Sequence, residues 1–289
     1  MRYLLRLRVP AALAALSTAL FLVAPVHAAP ALDVQVLDAC GSITVSGYYT
    51  VATDLHVDSG DCFTIAVPDV TLDLGGSAID GGAAPGSAGI RVLPAATSAQ
   101  LQHGSISAFA TGIEIDAADA TVTRITLQNN GTGIQLYQAD GATVERNVVT
   151  QSGLYGVAVQ DSSQITVAGN RIDGSGVYGA WLRSTTHSLI ARNAIDGSGV
   201  SGVYLGCSPN GASGVLDCQP SLDNIVGRNT VTNSGSSNIA VDAGSTQNML
   251  LENTTSGAGS IDLVDANDGC AENRWLFNTF MTISQSCTQ

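Results

Sequence analysis

Short runs of alternating apolar and polar residues recur along the chain at nearly constant spacing. Each run starts with a small or polar residue and has apolar residues at its second and fourth positions, as in the Gly-Ile-Glu-Ile segment that begins at Gly112. Successive runs start 21, 23, 23, 23, 36 and 22 residues apart. The starting residues are Gly112, Gly133, Gly156, Gly179, Gly202, Asn238 and Ser260. Strict alternation predicts short β-strands with one face buried and the other turned outward.

A second series of strands runs in step with the first, and each of its members ends at an asparagine. These residues are Asn147, Asn170, Asn193, Asn229 and Asn253, at spacings of 23, 23, 36 and 24. An apolar residue two positions after most of them predicts a third short strand. Because no helical stripe is present, each repeat is predicted to be one coil of a β-solenoid. Asparagine tolerates the left-handed conformation of a tight corner, and stacked amides can hydrogen-bond along the axis.

Three parts of the sequence resemble right-handed parallel β-helix repeat proteins of the pectate-lyase-like superfold. They are the repeats, the segment Val-Thr-Leu-Asp-Leu-Gly-Gly-Ser-Ala-Ile-Asp-Gly at 70–81, and the ending that contains Asn273, Trp275 and Phe280. The resemblance covers nearly the whole chain after residue 28. It implies an all-β, right-handed parallel β-helix of roughly ten coils with a cap at each end. It implies no single activity, since this architecture carries lyases, hydrolases, epimerases and adhesins.

The first 28 residues have the pattern of a signal peptide. Arg2, Arg6 and Arg8 precede a mostly apolar run, and the small-x-small triplet that ends at Ala28 predicts cleavage there. An uncleaved anchor is the alternative, but no second apolar span follows. We therefore expect a secreted or periplasmic protein with no membrane span in its mature form. Residues 29–62 and 265–289 are expected to cap a solenoid at 63–264.

All six cysteines follow the predicted cleavage site, and an even number in an exported chain predicts three disulfides. Proximity favours sequential pairing, although six cysteines allow fifteen arrangements. The cysteines are Cys40, Cys62, Cys207, Cys218, Cys270 and Cys287. A zinc site is disfavoured because the sequence contains no C-x-x-C motif. Both strand series lengthen from 23 to 36 residues at the same place, which predicts a disulfide-closed loop at 207–218.

The charge balance excludes several classes of function. The 11 basic residues are all arginines, and 24 acidic residues bring the formal charge to −13. Nucleic acid is therefore not an expected partner, because binding its backbone requires clustered cations. Without lysine, Schiff-base and P-loop chemistry are also excluded. The Asp-Asp, Gly-His-Gly, Arg-Ile-Lys and Asp-Pro-His signatures of related hydrolases and epimerases are absent, so the resemblance transfers no catalytic residue.

The outward positions of the first strand series gather aromatic residues in the middle coils. The first outward column contains Glu114, Gln135, Ala158, Trp181, Tyr204, Ala240 and Asp262, and the second contains Asp116, Tyr137, Gln160 and Arg183. Exposed rings beside polar groups suit stacking on sugars. The predicted substrate-binding residues are Tyr137, Tyr155, Gln160, Tyr178, Trp181 and Tyr204. The alternative is that Tyr155 and Tyr178 only cover a turn and stabilise neighbouring coils.

Three residues are candidates for catalysis. Arg183 lies centrally, and the resemblance implies that an arginine can act as the base in related lyases when Ca²⁺ acidifies a uronate. Its alternative role is an ion pair with Asp161. Glu114 and Asp116 lie two residues apart on one strand face and form a possible acid pair, the alternative being a solvated surface.

Two aspartates are the candidate metal ligands. Asp173 and Asp196 occupy the same place in two consecutive Ile-Asp-Gly-Ser-Gly-Val segments, so they should stack on adjacent coils. Ca²⁺ would relieve their repulsion. The alternative is that each carboxylate bonds the backbone of its own Asp-Gly turn. No other cofactor is indicated.

Two hypotheses of function follow from these patterns. The first is an exported β-helix protein that binds, and as a lyase or glycoside hydrolase processes, a polysaccharide or cell-surface glycan along the aromatic strip. A neutral or weakly charged glycan fits best, because the acidic protein repels polyuronates that Ca²⁺ does not bridge. The second is a non-catalytic surface or matrix protein in which the solenoid is an adhesin or a stiff spacer.

Overall fold

The computed structural model describes residues 34–207 and 219–288. Within these ranges the chain winds through two parallel sheets, one of ten strands and one of eighteen. We call them the front sheet and the back sheet. The helical segments of the described ranges are two short 3-10 turns, Asp268–Cys270 and Ser286–Thr288, and none of them is long or apolar enough to span a bilayer.

The front sheet takes one strand from each coil, whereas most coils give the back sheet two. The front strands are Gly41–Ile43, Phe63–Ile65, Ala88–Val92, Thr111–Ile115, Thr132–Tyr137, Tyr155–Gln160, Tyr178–Arg183, Ser201–Leu205, Ser237–Val241 and Ile261–Asp265. The back strands are Val34–Leu37, Gly47–Val51, Leu55–Val57, Val70–Asp73, Ala78–Gly81, Gln100–Ser107, Thr121–Gln128, Thr143–Glu145, Val148–Thr150, Thr166–Ala168, Arg171–Asp173, Leu189–Ala191, Ala194–Asp196, Ile225–Gly227, Thr230–Thr232, Met249–Leu251, Thr254–Ser256 and Arg274–Leu276.

The pairing register confirms that one sequence repeat makes one coil. Ala158 pairs with Trp181 and Trp181 pairs with Tyr204, so equivalent positions lie side by side on successive coils. The inward residues of both sheets form one continuous apolar core, in which residues such as Val157 and Ile172 are fully buried. Each coil therefore packs only on its two neighbours, as in other solenoids.

The last front strand is registered differently from the prediction. Ala240 pairs with Val264, so the outward column ends at Val264 instead of Asp262. Asp262 takes the buried position that glycine occupies in earlier coils. Its Oδ1 accepts a hydrogen bond of 2.8 Å from Asn238 Nδ2, and its Oδ2 accepts one of 2.8 Å from the backbone N–H of Met281. The alternating pattern that begins at Ser260 predicted the wrong register, because a carboxylate that accepts these hydrogen bonds can take the place of the strand glycine.

The asparagine column forms a ladder of amides, as predicted. Asn193 Nδ2 donates to Asn229 Oδ1 at 3.0 Å and to the carbonyl oxygen of Val167 at 2.9 Å. The left-handed residue of each corner is, however, the one before the asparagine, such as Arg192 with φ of 56°. The asparagine itself turns its amide inward, where it satisfies buried backbone groups.

Glycine recurs at the start of the front strands because of close packing between coils. A Cβ atom on Gly179 would lie 2.6 Å from the carbonyl oxygen of Gly202 and 2.4 Å from the Cγ2 methyl of Ile195. These distances are too short for any side chain. The glycine spacing in the sequence therefore reports a steric requirement of the stack.

Two of the predicted disulfides, Cys40–Cys62 and Cys270–Cys287, are formed. The third prediction involves Cys218, which lies outside the described residues together with the rest of the loop after Cys207. The predicted signal peptide at 1–28 also lies outside them.

Both expected end regions contribute strands to the sheets. Pairing begins at Val34, inside the predicted N-terminal cap, and Arg274 pairs with Met249 in the C-terminal one. Asp265 organises the C-terminal end, where its Oδ2 accepts hydrogen bonds from Trp275 Nε1 at 2.9 Å and from Asn273 Nδ2 at 3.0 Å. The boundaries of the two caps stay predictions.

Candidate functional site

Aromatic rings from neighbouring coils pack on one another outside the front sheet. The rings of Tyr178 and Tyr204 are stacked with centroids 4.6 Å apart, and those of Tyr155 and Trp181 lie 4.7 Å apart at an angle of 41°. Together with Ala158 and other apolar neighbours, they form a second hydrophobic cluster, separate from the solenoid core. Four of the five rings that the sequence analysis placed together meet in this cluster, whereas Tyr137 is not part of it.

The predicted exposure is wrong for three of these rings. Only 1% of Tyr178, 6% of Trp181 and 7% of Tyr204 is accessible to solvent. Trp181 Nε1 donates to the carbonyl oxygen of Gly206 at 2.9 Å, and the Tyr204 hydroxyl donates to that of Cys207 at 3.1 Å. Burial, together with the charge of nearby Asp242, raises the pKa of Tyr204. Alternation decides which face of a strand a residue occupies, but not whether that face meets solvent.

The other predicted binding residues differ in exposure. Tyr137 is 38% exposed, and Tyr155 and Gln160 are half-buried. Arg183 is buried, and its Nη1 donates to Gln160 Oε1 at 3.1 Å. Among the described residues it makes no ion pair, so the alternative of a pair with Asp161 is wrong.

The two candidate acids lie beside an arginine that the sequence analysis missed. Arg91 occupies the coil before Glu114 and pairs with it, and Arg91 Nη1 contacts a Glu114 carboxylate oxygen. The same guanidinium donates from Nε to Asp61 Oδ2 at 2.6 Å and from Nη2 to Asp61 Oδ1 at 3.1 Å. Arg91 precedes Glu114 by 23 residues, so extending the outward column by one period would have found it.

The three carboxyl groups around Arg91 differ in their acidity. Burial raises the pKa of Glu114, and nearby Asp116 adds to this effect, while Arg91 opposes it. Burial also raises the pKa of Asp116. Burial acts in the same direction on Asp61, but its hydrogen bonds to Arg91 and to the backbone N–H of Ala88, together with the charge of Arg91, outweigh burial and lower its pKa. The site therefore combines one carboxyl that loses its proton at lower pH than usual with two that retain their protons to higher pH.

The acids continue into a polar surface on the next coils. Glu114 pairs with Gln135, and Ile115 pairs with Leu136, so Asp116 and Tyr137 follow on neighbouring coils. We call the outward residues Glu114, Asp116, Gln135, Tyr137 and Gln160 the front patch. It combines two carboxyls, two amides and an exposed ring on three successive coils about 4.8 Å apart.

Asp173 and Asp196 lie on adjacent back strands, as predicted. Asp173 Oδ2 accepts from Arg171 Nε at 2.5 Å, and Asp196 Oδ1 accepts from Thr232 Oγ1 at 2.6 Å. The hydrogen bond from Thr232 lowers the pKa of Asp196. The described residues contain no cluster of three or more metal-ligating His, Cys, Asp or Glu side chains. The Ca²⁺ prediction therefore rests on two carboxylates that already have other partners.

Several solved structures share the fold. The Dettilon tailspike protein is 15% identical, with a TM-score of 0.68 over 85% of this chain and 54% of its own. DFA-IIIase from Arthrobacter chlorophenolicus A6 in complex with GF2 is 14% identical, with a TM-score of 0.58 over 80% of this chain and 63% of its own. A double mutant of the periplasmic alginate epimerase AlgG is 13% identical, with a TM-score of 0.56 over 81% and 63%.

In each of these cases the chain spans less than two thirds of the related structure. At such low identities the likeness establishes the fold alone. No curated protein matches the sequence. The profile of the family described as right handed beta helix region matches residues 111–280, which is more than half of the chain. The chain therefore belongs to the right-handed β-helix family.

Proposed function

We propose that the protein is exported and binds a polysaccharide along the front sheet, with the front patch as the site of binding and of glycosidic bond cleavage. The observation that carries this proposal is the pair Glu114 and Asp116, whose pKa values burial raises, next to the exposed ring of Tyr137. A structural neighbour described as an alginate epimerase supports a role with glycans. The two disulfides are consistent with an oxidising compartment.

Each part of the patch has a role in this proposal. A carboxyl with a raised pKa keeps its proton to higher pH and can protonate the glycosidic oxygen, so we assign general-acid catalysis to Glu114. Asp116 then acts as the second carboxylate, which takes a proton from the water that attacks the anomeric carbon. Residues two apart on a strand have Cα atoms about 6.6 Å apart and point to the same face, so the two carboxyl groups lie close to each other. Tyr137 stacks on a sugar ring, and Gln135 and Gln160 bind hydroxyls.

The acid pair favours hydrolysis over a lyase reaction with Arg183 as the base. The Arg183 guanidinium is buried and bonded to Gln160, so its access to a substrate proton is restricted. A positioning role for Arg183 fits better, since it orients the Gln160 amide. The buried rings of Trp181 and Tyr204 then support the patch from the following coils.

The test is a panel of neutral and acidic polysaccharides, assayed for reducing ends, unsaturated products and retention in affinity gels. We expect reducing ends from a neutral or weakly charged glycan, and we expect Glu114→Gln to abolish them while retention persists. Glu272→Gln removes an exposed carboxylate elsewhere and serves as the control. Unsaturated products would indicate that the protein is a lyase and not a hydrolase. If no polysaccharide is retained or cleaved, the proposal is wrong.

A non-catalytic surface or matrix role is the second candidate. The burial of Trp181, Tyr178 and Tyr204 favours it, because rings in a closed cluster stabilise the stack and do not contact ligand. The expected result in that case is high resistance to proteases with no retention on any polysaccharide of the panel. Loss of retention in Tyr137→Ala would instead favour glycan binding.

A further inference from the structure

Arginines line one corner of the back sheet. The residue before each ladder asparagine, and its equivalents in earlier coils, has a positive φ, and the side chains of this series turn away from the core. These residues are His103, Arg124, Arg146, Gly169, Arg192, Arg228 and Glu252, with φ between 53° and 63°. We call them the corner column. Four of the eight arginines after residue 28 lie here, on four of five consecutive coils that are about 4.8 Å apart.

Both ends of the corner column are compensated by other side chains. His103 Nδ1 lies 3.2 Å from Asp73 Oδ2, and its Nε2 lies 3.2 Å from Arg124 Nη1. At the other end, Arg228 Nε donates to Glu252 Oε2 at 2.6 Å. These contacts place a carboxylate at each end of the corner column, whereas the arginines in its middle make no such contact with the described residues.

Arg146 and Arg192 are exposed and form no ion pair or side-chain hydrogen bond within the described ranges. Gly169 lies between them, on the intervening coil, and leaves a notch of ≈ 160 Å³ that these residues and Glu145 line. A Cβ atom at Gly169 would meet only Arg146 Cγ, at 3.9 Å. The notch therefore lies between two arginines that form no ion pair with any described residue and whose backbones are two coils, or about 10 Å, apart.

Arg192 also borders a larger apolar groove. This groove of ≈ 240 Å³ has Leu189, Ile225 and Leu251 on its floor, between Arg192 and Arg228. Leu189 is 37% and Ile225 40% exposed, and the two pair on adjacent coils, so they form a contiguous apolar surface. The surface thus joins an apolar floor to a cationic notch through one shared arginine.

We propose that this corner surface is a second glycan site, and that it binds an acidic saccharide. The C–H face of a sugar ring packs on Leu189 and Ile225, while a carboxylate or sulfate enters the notch at Gly169 between Arg146 and Arg192. Charge complementarity is local, because the net charge of −13 repels anions at long range. A nucleic acid would bring a row of phosphates against that charge, and an acidic peptide lacks the flat C–H faces that match the floor.

The test measures binding of a uronate oligomer, its carboxyl-reduced counterpart and a sulfated galactan oligomer to the full protein by calorimetry at low salt. Comparison of the uronate oligomer with its carboxyl-reduced counterpart measures the contribution of the acidic group. Comparison of the uronate with the sulfated oligomer shows whether the site prefers a carboxylate or a sulfate. We expect Arg192→Gln to weaken acidic binding about tenfold. Arg274→Gln removes the same charge from an exposed site outside the grooves, and we expect a change of less than about twofold.

Two further variants examine the notch itself. Gly169→Gln should fill it and weaken binding, and glutamine tolerates this backbone, since Gln138 and Gln164 have φ of 52° and 58°. Glu145→Gln should strengthen binding, because it removes the one carboxylate that lines the notch. Unchanged melting temperatures would establish that the variants remain folded.

If Arg192→Gln and Arg274→Gln weakened the binding of the acidic oligomers equally, the proposal would be overturned. The loss would then come from the change in overall protein charge and not from a local contact. Equal affinity for the carboxyl-reduced oligomer or for polyglutamate would overturn it too, as would the absence of binding to either acidic oligomer. The surface lies on the back sheet, so Glu114→Gln should leave this binding unchanged even if the proposed front-sheet activity fails.

Discussion

The rings of Tyr178 and Tyr204 lie 3° from parallel with centroids 4.6 Å apart, although one full coil of the chain separates them. The strand register pairs Tyr178 with Ser201 and Trp181 with Tyr204, so the stack is a diagonal contact between adjacent coils. Because both rings are buried, they contribute to stability in the same way as core residues. The outer face of the front sheet is therefore partly a structural layer.

Trp181→Ala tests whether the aromatic cluster is structural. Truncation removes a buried indole and the hydrogen bond that it donates to Gly206, so the free energy of unfolding should fall by about 3–5 kcal/mol in urea titrations. Tyr137→Ala removes an exposed ring and should change it by less than about 0.5 kcal/mol. A small effect of Trp181→Ala would mean that the indole is not part of a packed layer.

Gly179→Ala tests the close approach of the coils. The added methyl group would collide with the carbonyl oxygen of Gly202, and we expect a loss of at least about 1–3 kcal/mol in thermal or urea unfolding. Gly41→Ala is the matched control, because no atom lies within 4 Å of the position that its methyl group would take. Equal tolerance of the two substitutions would contradict the steric account of the glycine column.

Asn193→Ala tests the amide ladder. The substitution removes the acceptor of the buried Asn170 backbone N–H, the side-chain donor to the Val167 carbonyl oxygen and one of the two donors to Asn229 Oδ1, so the free energy of unfolding should fall by at least about 2 kcal/mol. Gln128→Ala, at an exposed position with one hydrogen bond of 3.4 Å, should cost less than about 0.5 kcal/mol. Similar losses at both positions would show that the ladder adds nothing to the stack.

Arg91→Ala tests the electrostatics of the front patch by carboxyl NMR titration. In the native protein Asp61 should titrate below its usual value of 3.8, and Glu114 above its usual value of 4.5. Both pKa values should rise in Arg91→Ala, since each carboxyl loses its cation while burial remains. An unchanged Glu114 pKa would mean that Arg91 does not reach it in solution.

The same groups set opposite pH dependences of stability. The lowered pKa of Asp61 contributes stability that is present above pH 3.8 and is lost as the pH falls through the folded value. The raised pKa of Glu114 has the reverse sign, so stability declines as the pH rises from 4.5 through its folded value. Urea titrations of Arg91→Ala should show less stability above pH 3.8 and a weaker loss below it.

The amino-acid sequence by itself determined the coil. The period, the asparagine ladder, the glycine column and two disulfides were all predicted from spacing, because each coil of a solenoid contacts only its neighbours and repeats the same local requirements. The sequence also identified the rings of Tyr155, Tyr178, Trp181 and Tyr204 as neighbours. One register error, at Asp262, arose where a hydrogen-bonded carboxylate replaces glycine.

Only the tertiary structure decided what the outer surfaces contact. Alternation places Trp181 and Tyr137 on the same face, yet the first is buried and the second exposed. Likewise, the sequence proposed Glu114 as an acid but gave no account of Arg91, which sets its charge environment. Burial and ion pairing depend on atoms of other coils that approach a residue. The position of a residue within its own repeat does not specify how close those atoms come or how much solvent they exclude.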